Sequence, residues 1–291
     1  MTTPPSIRFP ALGAAADAAS EAAQRTFLLL NVAQLTLLSI AALLSGLNFG
    51  DRARDRPIAW AVCGIMFVTL CVSTALRVGK FDDRWFKCRA YAENVKSIGW
   101  RFVMAPPVDD AVTMYLAELE QLRARLDDLQ KEFIVRRGSG ALITDSMRTA
   151  QTLPISSKVA LYRKDRLEDQ VTWYSNKASQ NARSETIWFW FVFLVEFLAI
   201  GCAAYQAWQL KEINLVGGVA SLGTAFIAWS QIKRFSDLDT SYAIAAGDLR
   251  SIGEVHFRVE KQEELDRLVQ DVETAVSREH SMWLAKRVVT G

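Results

Sequence analysis

FLLLNVAQLTLLSIAALLSGL, residues 27–47, holds 21 residues and no charge. Three more stretches share its character. IAWAVCGIMFVTLCVSTAL, residues 58–76, has 19 residues and no charge. IWFWFVFLVEFLAIGCAAYQAW, residues 187–208, has 22 with one acid, Glu196, and INLVGGVASLGTAFIAW, residues 213–229, has 17 and none. A helix crosses the roughly 30 Å hydrocarbon layer with about 20 predominantly apolar residues. Four such runs, paired two and two, predict an all-α integral membrane protein built on two transmembrane hairpins.

The remainder of the chain is charged. Apolar residues make up 51% of the 291, yet mean hydropathy is only +0.09, because greasy spans are averaged with a polar remainder. The net charge of +2 argues against a nucleic-acid binder, which carries a clear basic surplus. Cys63, Cys71, Cys88 and Cys202 form no CxxC pair, so a reducing, cytosol-facing chain without a disulfide framework is expected. The first run is too long for a signal-peptide core and has no small-residue cleavage site after it.

Each hairpin returns the chain to its starting side. The N-terminus, the long middle segment and the C-terminus are therefore expected on one side. Arg77, Lys80, Arg84, Lys87 and Arg89 follow the second run, Lys177 and Arg183 precede the third, and Lys233 and Arg234 follow the fourth. These outnumber Arg52, Arg54, Arg56 and Lys211 in the hairpin loops, which predicts cytoplasmic termini in a bacterial inner membrane. Residues 1–26 read as an N-terminal tail. Residues 27–153 form a first hairpin with cytosolic helices. Residues 154–291 form a second hairpin with a long lead-in helix and C-terminal helices.

No strand periodicity appears in the soluble part. Val112, Tyr115, Leu119, Leu122, Leu126, Leu129 and Phe133 step by three and four, as a coiled-coil seam does. Leu265, Val269, Val272 and Val276 repeat the pattern. Such seams pack within one protomer or join protomers. Pro154 suits the first turn of a helix, and only Gly201 interrupts the Gly- and Pro-free stretch from there to Trp208, which predicts one helix about 80 Å long. The mixed-sign run Arg163-Lys164-Asp165-Arg166-Leu167-Glu168-Asp169 reads as a solvated helix face.

The chain also repeats itself. Lys80-Phe81, Asp83, Ala92 and Asn94-Val95-Lys96-Ser97-Ile98-Gly99 recur 154 residues later as Arg234-Phe235, Asp237, Ala246 and Asp248-Leu249-Arg250-Ser251-Ile252-Gly253, with six positions identical. A fixed offset points to a duplicated unit of hairpin plus cytosolic helix.

No catalytic constellation, phosphate loop, metal-ligand set or cofactor motif is present, so no enzyme is expected. Two features carry functional expectation. Gly217, Ser221 and Ala225 make a small-residue row that lets membrane helices approach closely. Glu196 lies about ten residues inside its span, where a carboxylate is costly and faces a bundle interior or water. That favours a pore-lining or gating role; the plainer alternative is a neutral carboxyl bonded to Asn31, Gln34 or Gln206.

Several strings resemble one family. Arg84 to Phe102 (RWFKCRAYAENVKSIGWRF) is similar to the post-hairpin helix of the SLATT superfamily, two-span effector domains associated with SMODS nucleotidyltransferases and SLOG nucleotide sensors. Leu142 to Arg148 (LITDSMR), the pattern from Tyr162 to Asn181, and Ser277 to Trp283 (SREHSMW) resemble further segments of tandem members. The resemblance implies a membrane effector of a prokaryotic conflict system that oligomerises and opens or disrupts the membrane when a separate nucleotide-signal sensor or synthase fires. It supplies no catalytic residues. The partners implied are the lipid bilayer, further copies of the chain and that sensor, but no nucleic acid. The competing readings are a constitutive scaffold recruiting partners through its coiled coils, and a small ion channel or transporter.

Overall fold

A computed structural model describes residues 7–47, 51–124, 140–209 and 215–288, with side chains through Arg278 in the last stretch. All regular structure in these residues is helical. The helices are α1 (Ala11–Ser45), α2 (Arg52–Gly79), α3 (Phe81–Met104), α4 (Asp109–Ala124), α5 (Asp145–Gln151), α6 (Ile155–Tyr162), α7 (Asp169–Gln209), α8 (Leu215–Lys233), α9 (Phe235–Val255) and α10 (Gln262–Val288). A π-helical segment, Arg163–Glu168, joins α6 to α7 without a break. The long helix expected after Pro154 is therefore real, running from Ile155 to Gln209.

The chain divides into two compact units, each drawing on both halves of the sequence. The first comprises Met1–Ala23, Asp82–Ala178 and Thr240–Gly291; the second comprises Gln24–Phe81 and Ser179–Asp239. The chain thus leaves the first unit twice and returns twice, each time through a helical hairpin.

In the second unit, three helical stretches are long and apolar enough to cross a membrane, contained in Ala11–Ser45, Arg52–Met104 and Ile155–Trp208. At most 11% of their most apolar windows is buried within the protein, so their side chains face outward, as a lipid-facing surface does. The fourth apolar run forms α8, 19 residues long; Ile213 and Asn214 lie outside the described residues. Polar side chains in the spans turn back on their own helices. Asn31 donates to Phe27 O (2.8 Å), Thr69 to Ile65 O (2.9 Å), Thr74 to Leu70 O (2.8 Å) and Thr224 to Ala220 O (3.1 Å). Each satisfies its donor where water is absent.

The first unit has a conventional apolar core. Trp100, Tyr162, Tyr174, Met104, Met147, Leu161, Leu249, Leu265 and Leu268 are fully buried. Trp100 lies between the rings of Phe9 (5.4 Å) and Tyr162 (5.5 Å). Two glycines of the sequence repeat mark close approaches here. A Cβ on Gly99 would sit 2.5 Å from the Phe9 ring, and one on Gly253 3.2 Å from Leu167 Cδ2. Tyr115 and Leu119 are buried in this core, with Val112 and Leu122 packed against it. That half of the seam therefore packs inside its own protomer; Leu126, Leu129 and Phe133 lie outside the described residues. Leu265, Val269, Val272 and Val276 join the same core.

The repeat is visible in the backbone. Among the described residues, only Lys80 (φ 43°) and Arg234 (φ 50°) are non-glycine residues with positive φ, and they stand at the same 154-residue offset. Each ends a hairpin and directly precedes a helix that opens on phenylalanine, Phe81 or Phe235. A left-handed backbone costs a residue with a side chain about 1–2 kcal/mol.

Candidate functional site: an intramembrane carboxylate and a buried ion-pair network

α7 carries Glu196 between Phe193 and Phe197, both more than half exposed. Glu196 is exposed as well, and among the described residues it makes no hydrogen bond or ion pair. Neither Asn31, Gln34 nor Gln206 reaches it; Asn31 is bonded to its own helix. Gly223 of α8 lies across the hairpin from it: a Cβ there would be 4.0 Å from Glu196 Cγ and 3.6 Å from Val195 Cγ1. Both are ordinary van der Waals distances, so α8 packs against α7 here without depending on glycine.

The small-residue row is placed differently from the close contacts. Gly217 is exposed, and Ser221 and Ala225 are half-buried. The tight approach belongs to Gly218, whose added Cβ would lie 2.5 Å from Leu43 Cδ2 and 3.1 Å from Leu43 Cα. Trp188 packs against Phe226 (5.6 Å) and Trp229 (6.4 Å) at one end of the hairpin, and Lys233 Nζ stands 5.8 Å from the Trp229 ring. That aromatic-cationic grouping is the composition of a membrane–water interface.

The first unit holds a polar network that the sequence concealed. Arg166, expected on a solvated face, is 0% exposed, and Leu167 beside it is buried too. The π segment places Arg166 and Tyr162 together on Glu273 of α10. Arg166 Nε donates to Glu273 Oε1 (2.9 Å) and Nη2 to Oε2 (2.6 Å), a bidentate fork, while Tyr162 Oη donates to Oε1 (2.9 Å). Glu93 Oε2 on α3 stands 4.0 Å from Arg166 Nη1. Arg163 Nη2 donates to His256 O at the end of α9, and His256 Nε2 lies 2.8 Å from Asp271 Oδ2. One six-residue segment thus ties α3, α9 and α10. π segments are rare and concentrate at functional sites.

Arg166 and Tyr162 are both held in their protonated forms. Burial works to lower the Arg166 pKa, but the charge and hydrogen bonds of Glu273 outweigh it and the net direction is upward. Burial, reinforced by Glu273, holds the Tyr162 phenol well above its usual range. Both groups keep their protons at neutral pH. Cys88, pushed up to about 11 by burial despite Arg84, is an inert thiol.

A second buried group serves the C-terminus of α3, whose last carbonyls lack helical donors. Lys158 Nζ donates to Ala105 O (2.7 Å) and Met104 O (3.4 Å), Gln151 Nε2 to Phe102 O (3.2 Å), and Gln262 Nε2 to Met104 O (2.9 Å). Among the described residues, no three His, Cys, Asp or Glu side chains group as metal ligands.

Sequence comparison agrees with this two-hairpin plan. The profile of the SMODS and SLOG-associating 2TM effector domain 3 (SLATT_3) matches residues 10–158, and that of the SMODS and SLOG-associating 2TM effector domain 1 (SLATT_1) matches residues 162–283. No curated protein and no solved structure matches the chain. Two effector domains in succession, over nearly the whole chain, make it a tandem member of the SLATT family of membrane effector domains.

Proposed function

We propose that this chain assembles into homo-oligomers in a bacterial inner membrane and opens an ion-conducting path when a separate nucleotide-signal sensor or synthase releases it. The observation that carries this reading is Glu196. Asn31, Thr69, Thr74 and Thr224 are satisfied on their own helices, whereas this carboxyl is exposed and, among the described residues, without a partner. In lipid it would cost about 2.5–3.5 kcal/mol on insertion scales, and more in some estimates. Another copy or a water-filled lumen removes that cost. The outward-facing apolar spans supply the surface for assembly, and a ring of carboxylates makes a lumen cation-tolerant. No step of this reading calls for catalysis. The scaffold reading draws less support, because Tyr115, Leu119 and Leu122 are occupied within their own core.

Controlled expression in a bacterial host, alone and with the genes neighbouring this one, tests the proposal. Membrane potential and dye entry are followed for wild type and Glu196→Gln. Depolarisation that weakens in the variant is the expected result. Depolarisation equal in both removes Glu196 from the path. An intact potential in every combination, at full membrane expression, overturns the pore.

A further inference from the structure

α2 begins before its apolar run does, and its first turns carry a groove. Arg52, Arg56 and Trp60 stand four residues apart and so share one stripe of the helix. With Ala53, Asp55 and Pro57 they line an open concavity within the second unit. Among the described residues, every one that lines it belongs to α2.

The groove is graded in polarity along the helix axis. Trp60, 68% exposed, lies inside the run that begins at Ile58. At 1.5 Å per residue, the Arg56 Cα stands about 3 Å outside the start of that run and the Arg52 Cα about 9 Å. Across a bilayer boundary, Trp60 then sits at the depth its ring favours, with both guanidinium groups among the headgroups. Both arginines are exposed, and among the described residues neither makes a hydrogen bond or ion pair. The neighbouring Asp51 is committed to the helix cap, where its carboxylate accepts from Ala53 N (2.9 Å). Asp55 lines the groove and leaves it one net positive charge. Acceptors are present as well. Pro57 has no N–H, so the Ala53 carbonyl lacks its helical donor, and the Asp55 carboxylate is a second.

Two cationic forks beside an apolar ring complement a phosphodiester whose acyl chains continue into the bilayer. Arginine engages phosphate through paired N–H···O bonds, which gives geometry as well as charge. We propose that this groove binds an anionic phospholipid of the phosphatidylglycerol type, in the leaflet that the tip of the first hairpin reaches. Arg52 and Arg56 hold the phosphate. The Ala53 carbonyl and the Asp55 carboxylate accept from headgroup hydroxyls, and Trp60 packs on the glycerol and upper acyl chain. The arginine side chains, not the amides of the helix end, carry the site. It is independent of the pore reading. Arg54 supplies an internal control. It is exposed too, but lies about 200° round the helix from Arg52 and from Arg56 and does not line the groove.

The test titrates full-length protein in dodecylmaltoside with phosphatidylglycerol, phosphatidylethanolamine, phosphatidylcholine or glycerol 3-phosphate, and follows bound lipid by native mass spectrometry. Phosphatidylglycerol is expected to bind in preference to the other three. Arg52→Gln and Arg56→Gln should each weaken it about fivefold, and Arg54→Gln less than about twofold. Arg52→Lys/Arg56→Lys, which keeps the charge but loses the forks, should fall between wild type and Arg52→Gln/Arg56→Gln. A second measurement needs no variant: phosphatidylglycerol should protect Arg52 and Arg56 of the wild type, but not Arg54, from phenylglyoxal, read by peptide mass spectrometry. Equal loss at all three arginines, or equal protection of all three, would show diffuse charge attraction and overturn the site. Binding of either zwitterionic lipid as tightly as phosphatidylglycerol overturns the anionic assignment. Displacement of the lipid by an equal concentration of glycerol 3-phosphate overturns the lipid itself.

Discussion

Arg166 holds a full charge where water does not reach, and Glu273 is the chief group that makes that tolerable, with Glu93 farther off at 4.0 Å. Desolvating two ions costs several kcal/mol each, and the bidentate fork together with Tyr162 offsets it. The consequence is asymmetric. Glu273→Leu leaves an uncompensated guanidinium in the core and is expected to cost about 3–5 kcal/mol. The double variant Arg166→Met/Glu273→Leu, which removes both charges, is expected to regain most of that loss. Chemical unfolding of wild type, single and double variants checks both numbers. A double variant no better than the single would mean that the fork itself supplies the stability. The sequence hid this pair for a physical reason. Arg166 sits in a run of alternating signs, which ordinarily faces solvent, and its partner is 107 residues away. Only the flanking Leu161, Tyr162, Leu167 and Gln170, all buried, hinted that one face of the run turns inward.

At the scale of elements, helix ends and helix contacts were less legible than helices. The run from Pro154 through the third span was readable because nothing in it breaks a helix. That a π segment interrupts its register was not, since no residue type demands one. Lys158 is a similar case: in sequence it is an unremarkable lysine, but in the fold it caps α3 from another helix. Burial draws its pKa downward, against the field of Asp266, yet the carbonyls of Met104 and Ala105 still need its protons. Lys158→Met should therefore lower stability by about 1–2 kcal/mol, as loss of a charged helix-end partner does, with a matching fall in the unfolding midpoint. Periodicity marked Gly217, Ser221 and Ala225 as a packing row, whereas the tight contact falls on the next residue, Gly218. Two adjacent glycines look alike in sequence; Leu43, met by one of them, decides. Gly218→Val is expected to disrupt the second unit, because backbone at Leu43 cannot yield, while Gly217→Val is tolerated. Protease resistance of the two variants in detergent distinguishes them.

For the whole molecule, the paired runs and the 154-residue repeat made the two-hairpin plan legible, because burial in lipid demands long apolar helices and duplication fixes an offset. The compact first unit adds a constraint the sequence only implied. It contains residues before the first run, between the second and third, and after the fourth. If α7 crosses the membrane, α8 must cross back for Thr240 and its successors to join that unit. The number of crossings is then even, and both termini share a side. Charge predicts the side: nine basic residues flank the first-unit ends of the spans, against four in the hairpin loops, and by the positive-inside rule the first unit is expected in the cytoplasm. The arginines at 52, 54 and 56 oppose this, but their segment begins a helix capped by Asp51 and carries Asp55 in its first turn, so part of that charge is locally answered. In a cysteine-free background, Ala53→Cys is expected to react with a membrane-impermeant maleimide on spheroplasts. Leu142→Cys, at an exposed first-unit position, is expected to react only after lysis. The reverse pattern would put the Arg166 network outside the cell, where no cytosolic nucleotide signal could reach it. Labelling of both sites in intact spheroplasts would show that the protein had opened the membrane itself.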